Sequence, residues 1–459
     1  MAGIGFVLEK LMRQDDLTGV LRGIAYAAVI ATGPWLITVF SLAAVTLLVH
    51  YGTASLEVRL FHSVIIYNFS ASLVMTGPIA LVTTRFLADR IFLGKVEPVP
   101  ATLLTGSAAC YGLALLIGIP FYGFVCDLPL TTALAAIVNL AAVCGIWYVG
   151  VFLSALRDYR TIFIAFLVGL TVGAVTAIAL SRWYGTDGML FGFSTGIVVL
   201  VFIAKAKILA EYPYKFVEPF AVLPYFRTYW PLALGGLVFN AAVWIDKWIM
   251  WFAPERVVVG GALATHPYYD GAMFLAYLTV VPSLAMFLVS VETAFFRVYQ
   301  RFYRAIAFHA TYAEIEDNRL RIVRTLATSS RDIAILQAAV TMLALFLAPA
   351  VIELTASSFQ QIGILRFGIL GAYFQAMLLF LSTLLAYFDL RLPNLGLQTL
   401  FLVTNGLFTL ASLEGGFEYY GYGFFASTVV TCAVGFVVLS HALSRLPYLA
   451  FIGSNPSVE

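Results

Sequence analysis

Apolar stretches long enough to cross a lipid bilayer recur twelve times along these 459 residues, which sets the fold class before any motif is read. A hydrocarbon layer about 30 Å thick takes about 20 residues of helix. Only helices and closed barrels satisfy their own backbone in that layer. The spans fall at 24–49, 61–88, 101–123, 129–153, 161–181, 189–208, 229–252, 271–296, 332–352, 364–388, 395–413 and 420–444. Composition agrees, since 11% of the residues are charged where a soluble domain carries about 25%. The chain is expected to be an all-α integral membrane protein. Its first apolar stretch, 20–49, is about twice a signal-peptide core in length, so it should stay as a membrane helix. Residues 4–13 alternate apolar and charged side chains, which reads as a short interfacial helix or a frayed terminus.

Basic residues set the orientation. With the N-terminus in the cytoplasm, only Arg59, Arg182, Arg256 and Arg366 of the 26 Lys and Arg face outward, and Lys247 lies within a span. The positive-inside rule therefore places both termini in the cytoplasm of a multi-pass protein. Outer connections are short. The longest inner one, 297–331, mixes Ile306, Ile315 and Leu320 with Glu314, Asp317, Arg319 and Arg324. It is expected to be an amphipathic helical insert lying on lipid or against a partner.

The two halves of the chain echo each other. Phe152-Leu153-Ser154-Ala155-Leu156 ends the fourth span and Phe380-Leu381-Ser382-Thr383-Leu384 the tenth, each followed by an Asp and an Arg. Tyr184-Gly185 leads into the sixth span and Tyr420-Gly421 into the twelfth; Pro78 interrupts the second and Pro282 the eighth. Six spans per half is even, so both halves enter the membrane from the same side as a parallel repeat. The expected domains are a six-helix lobe at 1–210, a cytoplasmic linker at 211–228 and a second six-helix lobe at 229–459. Pro213, Pro219 and Pro224 favour an extended linker.

Several chemistries are excluded. Before Gly94-Lys95, Asp89 stands where a P-loop needs its first glycine, and Val96 replaces the Ser or Thr that holds magnesium. Cys110, Cys126, Cys144 and Cys432 are scattered, with no metal spacing. No outer loop is long enough for a catalytic domain, so no enzyme, metal or cofactor is implied. The aromatics lie inside apolar spans, not among basic residues, which argues against nucleic acid.

Ionisable residues inside spans are costly and raise a functional question. At 1.5 Å per residue, Asp246 and Lys247 lie about 27 Å along an outward-running helix, near its outer end. Glu292 lies equally far along an inward-running one, so it cannot pair with Lys247. Arg85 shares the depth of Glu292, in the matching place of the other half. Two readings stand: Arg85 and Glu292 close the cytoplasmic side in one conformation, or Arg85 snorkels to headgroups. Asn240, Trp244 and Lys247 share one helix face, suited to sugar hydroxyls and sugar faces, or to a packed interface with one polar anchor. Asp246 points elsewhere and is expected to cap or pair locally. Asn68, Asn139, Trp147 and Gln375 either line a passage or glue helices together.

Thr32-Gly33-Pro34-Trp35, Ile245-Asp246-Lys247 and the paired Tyr-Gly motifs resemble the multidrug/oligosaccharidyl-lipid/polysaccharide flippase superfamily. More specifically, the segments running from Met1 through Phe6, from Tyr269 through Tyr277 and from Met286 through Phe296 are similar to Pel exopolysaccharide exporters. The resemblance covers essentially the whole chain. It implies two helical bundles around a cavity in the bacterial inner membrane. It implies passage of an N-acetylgalactosamine-rich polymer to the periplasm. It also implies partners: a cytoplasmic glycosyltransferase, a tetratricopeptide-bearing membrane subunit and a cyclic-di-GMP receptor. No residue role is carried over. A lipid-linked oligosaccharide flippase, an ion-coupled multidrug antiporter and a non-transporting scaffold for the glycosyltransferase remain as alternatives.

Overall fold

A computed structural model describes residues 17–50, 55–156, 158–355 and 358–452. The interfacial segment expected at 4–13 lies outside the described residues. The first half comprises α1 (Leu17–His50), α2 (Ser55–Phe92), α3 (Val99–Pro120), α4 (Leu130–Leu156) and α5 (Tyr159–Glu211). A short α6 (Leu223–Thr228) precedes α7 (Trp230–Met250) and a hairpin of β1 (Val257–Gly260) and β2 (Leu263–Thr265). Then follow α8 (Pro267–Leu278), α9 (Val281–Ser290), α10 (Phe296–Ala307) and α11 (Tyr312–Leu354). The chain ends with α12 (Ile362–Tyr387), α13 (Arg391–Gly415), α14 (Tyr422–Ser444) and α15 (Leu446–Ile452).

Ten helices among the described residues are long and apolar enough to cross a membrane. One of these, α5, is two spans: Gly185, at φ 52° and ψ −128°, breaks it midway. With α1 the total is twelve, six per half. Gly421, in the matching place before α14, also has a left-handed φ, 94°. Only glycine takes such angles freely, so both Tyr-Gly motifs mark the same chain reversal, as a repeat requires.

By contact the chain divides into one compact unit at 33–267 and another formed by 268–459 with 1–32. In the first, the core is continuous from Val45 through Phe86 and Tyr148 to Ile208. After α5 ends at Glu211, the linker is not helical until α6, whose first turn holds Pro224. It is strapped to the helix ends beneath it: the Thr105 hydroxyl donates to the Pro219 carbonyl at 2.9 Å.

The connection between the seventh and eighth spans, one of the outer connections expected to be short, holds a β-hairpin. Val257, Val258 and Val259 favour extended backbone, and Gly261, at φ 51°, turns it. The strands pair antiparallel with a bulge between Val258 and Gly260.

In the second unit the eighth span is broken into α8, α9, a π-helical turn at Val291–Phe295 and α10. The segment 297–331, expected to be an amphipathic insert, spans α10 and the start of α11. It is not separate, however, because α11 runs on as the ninth span. No Gly or Pro interrupts 312–348, and pairs such as Arg319–Glu316 and Arg321–Asp317 support its first turns. A capping box between Thr311 and Glu314 starts the helix.

Candidate functional site

The first half meets the seventh span along a seam between α2 and α7, inside the 33–267 unit. The helices run antiparallel and touch along about 27 Å of α2, from Arg85 to Tyr67. At one end the Arg85 guanidinium lies 5.1 Å from the centroid of the Tyr229 ring, and Phe86 meets Tyr225 edge-on at 5.2 Å. Midway, Gly77 faces Gly236 so closely that a methyl on either would stand 2.5 Å from the carbonyl oxygen of the other. At the far end Tyr67 and Trp251 stack with centroids 4.3 Å apart. Small residues allow this approach, as at other membrane helix crossings; any side chain would wedge the seam open.

Asn240 sits one turn beyond Gly236. Its amide donates to the Leu73 carbonyl at 3.0 Å and to the Gly236 carbonyl at 2.8 Å. Pro78 lacks an N–H and disturbs the hydrogen bonds of its preceding turn, and Asn240 supplies a donor there. Lys247 bonds both oxygens of Asp246, at 3.0 and 2.9 Å, and the Val243 carbonyl at 3.1 Å. Trp244 lies 5.9 Å from the same ammonium. Asp246 is fully buried and Lys247 8% exposed, so the charges are compensated within one turn of α7. The local pairing expected for Asp246 is with Lys247.

The hairpin closes the Tyr67 end. The Tyr67 hydroxyl donates to the Ala264 carbonyl at 2.8 Å and accepts from the Ala264 N–H at 3.2 Å. His266, which follows β2, is fully buried with Glu255 at 3.7 Å. Burial lowers its imidazole below the ordinary value; Glu255 and a backbone hydrogen bond oppose that.

The other candidates lie elsewhere. Asn68 and Asn139 are 1% and 0% exposed, in a closed network. The Asn68 amide donates to the Asn139 side-chain oxygen at 2.9 Å and accepts from the Tyr122 hydroxyl at 2.7 Å. The Asn139 amide donates to Ser194 at 3.0 Å. Trp147 donates to the Ser72 hydroxyl at 3.0 Å. These bonds tie α2, α4, α5 and the π turn after α3 together. In the second unit Gln375 accepts from the Tyr277 hydroxyl at 2.9 Å. Glu292 lies in the π-helical turn; only its backbone is described. Arg85 has Asp89 beside it at 3.2 Å, in addition to Tyr229.

Besides the hairpin, two features escaped the sequence reading. Gln337, fully buried, donates to the Thr279 carbonyl at 3.3 Å and accepts from Ser283, bridging the break before Pro282. It was visible by the same rule that singled out Gln375, a lone amide in an apolar span. The Gly77–Gly236 contact had no local signal, because glycine recurs 36 times in the chain.

Solved structures share this fold. A transporter of the MOP superfamily from Pyrococcus furiosus superposes with a TM-score of 0.63 at 15% identity, covering 92% of this chain and 96% of its own. A MATE transporter in complex with MaL6 gives 0.65 at 16%, covering 92% and 97%. An outward-facing multidrug resistance MATE transporter gives 0.61 at 18%, covering 92% and 96%. No curated protein matches the chain. The chain thus shares the fold of these MOP-superfamily and MATE structures. The family model of the PelG exopolysaccharide exporters (EPS-E) matches residues 1–451, so the chain belongs to that family of membrane transporters.

Proposed function

We propose that this chain carries a neutral, N-acetylgalactosamine-rich polymer of the Pel type from cytoplasm to periplasm across the bacterial inner membrane, with both termini cytoplasmic. The α2–α7 seam is then a gate that parts as the polymer passes. The carrying observation is the seam itself. It joins the second and seventh spans of an exporter-family chain through two glycines, stacked aromatics and compensated charges, contacts that separate without stranding a lone ion. Asn240, Trp244 and Lys247 would meet sugar hydroxyls and ring faces once it opens. Asn68, Asn139, Trp147 and Gln375 serve as framework on this reading. Arg85 holds the cytoplasmic end of the seam, and Glu292 the matching place in the eighth span. A cytoplasmic glycosyltransferase and other Pel inner-membrane subunits supply the polymer; the family resemblance supports these partners.

The test joins the seam covalently. Tyr67→Cys and Trp251→Cys, in a background lacking the four native cysteines, are bridged by a short, reducible thiol cross-linker in cells that make the polymer. Extracellular polymer should fall at least tenfold and recover on reduction, while either single cysteine exports normally. Undiminished export through a fully bridged seam would remove the gate.

A further inference from the structure

A cleft of about 510 Å³ lies between α10 and α11, lined by Arg301, Arg304, Ala305, Phe308, Glu314 and Asn318 among others. Its lining holds two arginines and two carboxylates, and both carboxylates are already engaged. Glu314 is held in the capping box with Thr311, and Asp317, also on the rim, pairs with Arg321 at 2.8 Å. Arg301 and Arg304 are exposed, and neither is within ion-pair distance of a carboxylate among the described residues. They stand three apart on one helix face, so their guanidinium groups project into the same space.

The helix ends around it place the cleft relative to a bilayer. The Tyr299 hydroxyl, on α10, donates to the carbonyl of Tyr387, the last residue of α12. Arg319, on α11, donates to the carbonyl of Leu443 at the end of α14. The helices of two apolar spans therefore end beside Tyr299 and Arg319. At 1.5 Å per residue, Arg301 and Arg304 stand roughly 3 and 8 Å further along α10. A headgroup layer is about 5–8 Å deep on each face of a bilayer, so with α10 running along the membrane normal both guanidiniums would fall within it. Directly after α14, the apolar α15 exposes Tyr448 and Phe451, as a helix lying at that interface does.

We infer that this cleft binds the phosphate of an anionic membrane phospholipid, with Arg301 and Arg304 as its ligands. Guanidinium groups suit phosphate through paired N–H donors, and basic pockets at the cytoplasmic ends of spans hold such headgroups. The site lies wholly within the second compact unit and does not depend on the cargo assigned above.

Native mass spectrometry of the purified full chain, delipidated and then given phosphatidylglycerol, cardiolipin or phosphatidylcholine, reads the site directly. The wild type should retain the two anionic lipids at least fivefold better than phosphatidylcholine. Arg301→Gln/Arg304→Gln should lose that preference, while Arg366→Gln, at the opposite end of α12, keeps it. Melting in neutral lipid checks folding, and the single Arg304→Gln variant provides a milder second reading. Equal retention by the double variant overturns the site. So does displacement of the lipid by an equimolar amount of inorganic phosphate, which would make free phosphate the ligand. Unchanged lipid retention together with loss of a co-purifying protein subunit would also overturn it and make the cleft a protein interface.

Discussion

The second and eighth spans occupy the same place in the two halves, and each contains a proline, yet they are built differently. Around Pro78, α2 continues unbroken for 38 residues. Around Pro282 the helix stops at Leu278, restarts at Val281, and is widened again by the π turn at Val291–Phe295. The side-chain amide that reaches the turn beside each proline differs too. Asn240 reaches the turn before Pro78 from α7, at a place where the backbones of Gly77 and Gly236 are already in contact. Gln337, from α11, bridges Thr279 and Ser283, and Val280 between them packs on Ala372 and Ala376 of α12. A proline is tolerated in a membrane helix when a neighbour re-satisfies the freed groups. Around Pro78 the helix is continuous where that neighbour also meets it backbone to backbone, at Gly77 and Gly236.

The largest effect is expected from the charges that anchor α7, the partner of α2. Asp246→Asn leaves the Lys247 ammonium buried without its counter-charge, which costs about 3–5 kcal/mol. The purified protein in lipid should melt well below wild type, and Asp246→Leu with Lys247→Met should regain most of the loss. A double variant as unstable as the single one would show that the pair is not what holds this end of α7. Next comes Gly77→Val. Its new side chain would press on backbone rather than on a flexible group, so about 1–3 kcal/mol of overpacking is expected. Gly112→Ala, where no atom lies within 4 Å of the added methyl, should be neutral or gain about 0.5–1 kcal/mol. Equal effects at the two glycines would mean that the seam is not tight.

The sequence made the spans and the repeat legible because both follow from local pattern: hydropathy over a window of helix length, and glycines needed at left-handed φ. The polar residues were found but not sorted. Asn68 and Asn139 look identical in sequence to Asn240; only tertiary placement shows that two are sealed with Tyr122 and Ser194 while the third lies on the seam. The hairpin was missed because three valines between two spans add little to a hydropathy window, and its fixing partner, Tyr67, lies 197 residues from Ala264. Contact at that separation has no periodic signature in either segment.

The amides sharpen the contrast between the two prolines. Gln337→Leu removes the donor to the Thr279 carbonyl and leaves Ser283 without its acceptor, a loss of about 1–3 kcal/mol. Amide exchange across 279–283 should speed up by at least tenfold. Asn240→Leu removes bonds from a turn still held by the glycine contact, so about 0.5–1.5 kcal/mol is expected, the usual worth of a single hydrogen bond. Exchange around Pro78 should hardly change. If Asn240→Leu loosens its span as much as Gln337→Leu does, the packing of α7 does not account for the continuity of α2.

The smallest effect concerns the hairpin that caps the Tyr67 end, for which the Pro282 region has no counterpart among the described residues. Burial holds His266 below its ordinary value of 6.5, against the smaller upward pull of Glu255. The docked hairpin therefore keeps the imidazole neutral, whereas the released segment protonates near the ordinary value. Docking is at full strength above about pH 6.5 and weakens as pH falls from there through the lower value in the docked state. Exchange protection across 257–265, corrected for the intrinsic pH dependence of exchange, should drop between pH 7.5 and 5.5. In His266→Gln, which is neutral throughout, it should stay flat. A drop that persists in His266→Gln would assign the pH response to another group, and no drop in the wild type would mean that the imidazole takes up its proton without leaving the hairpin's dock.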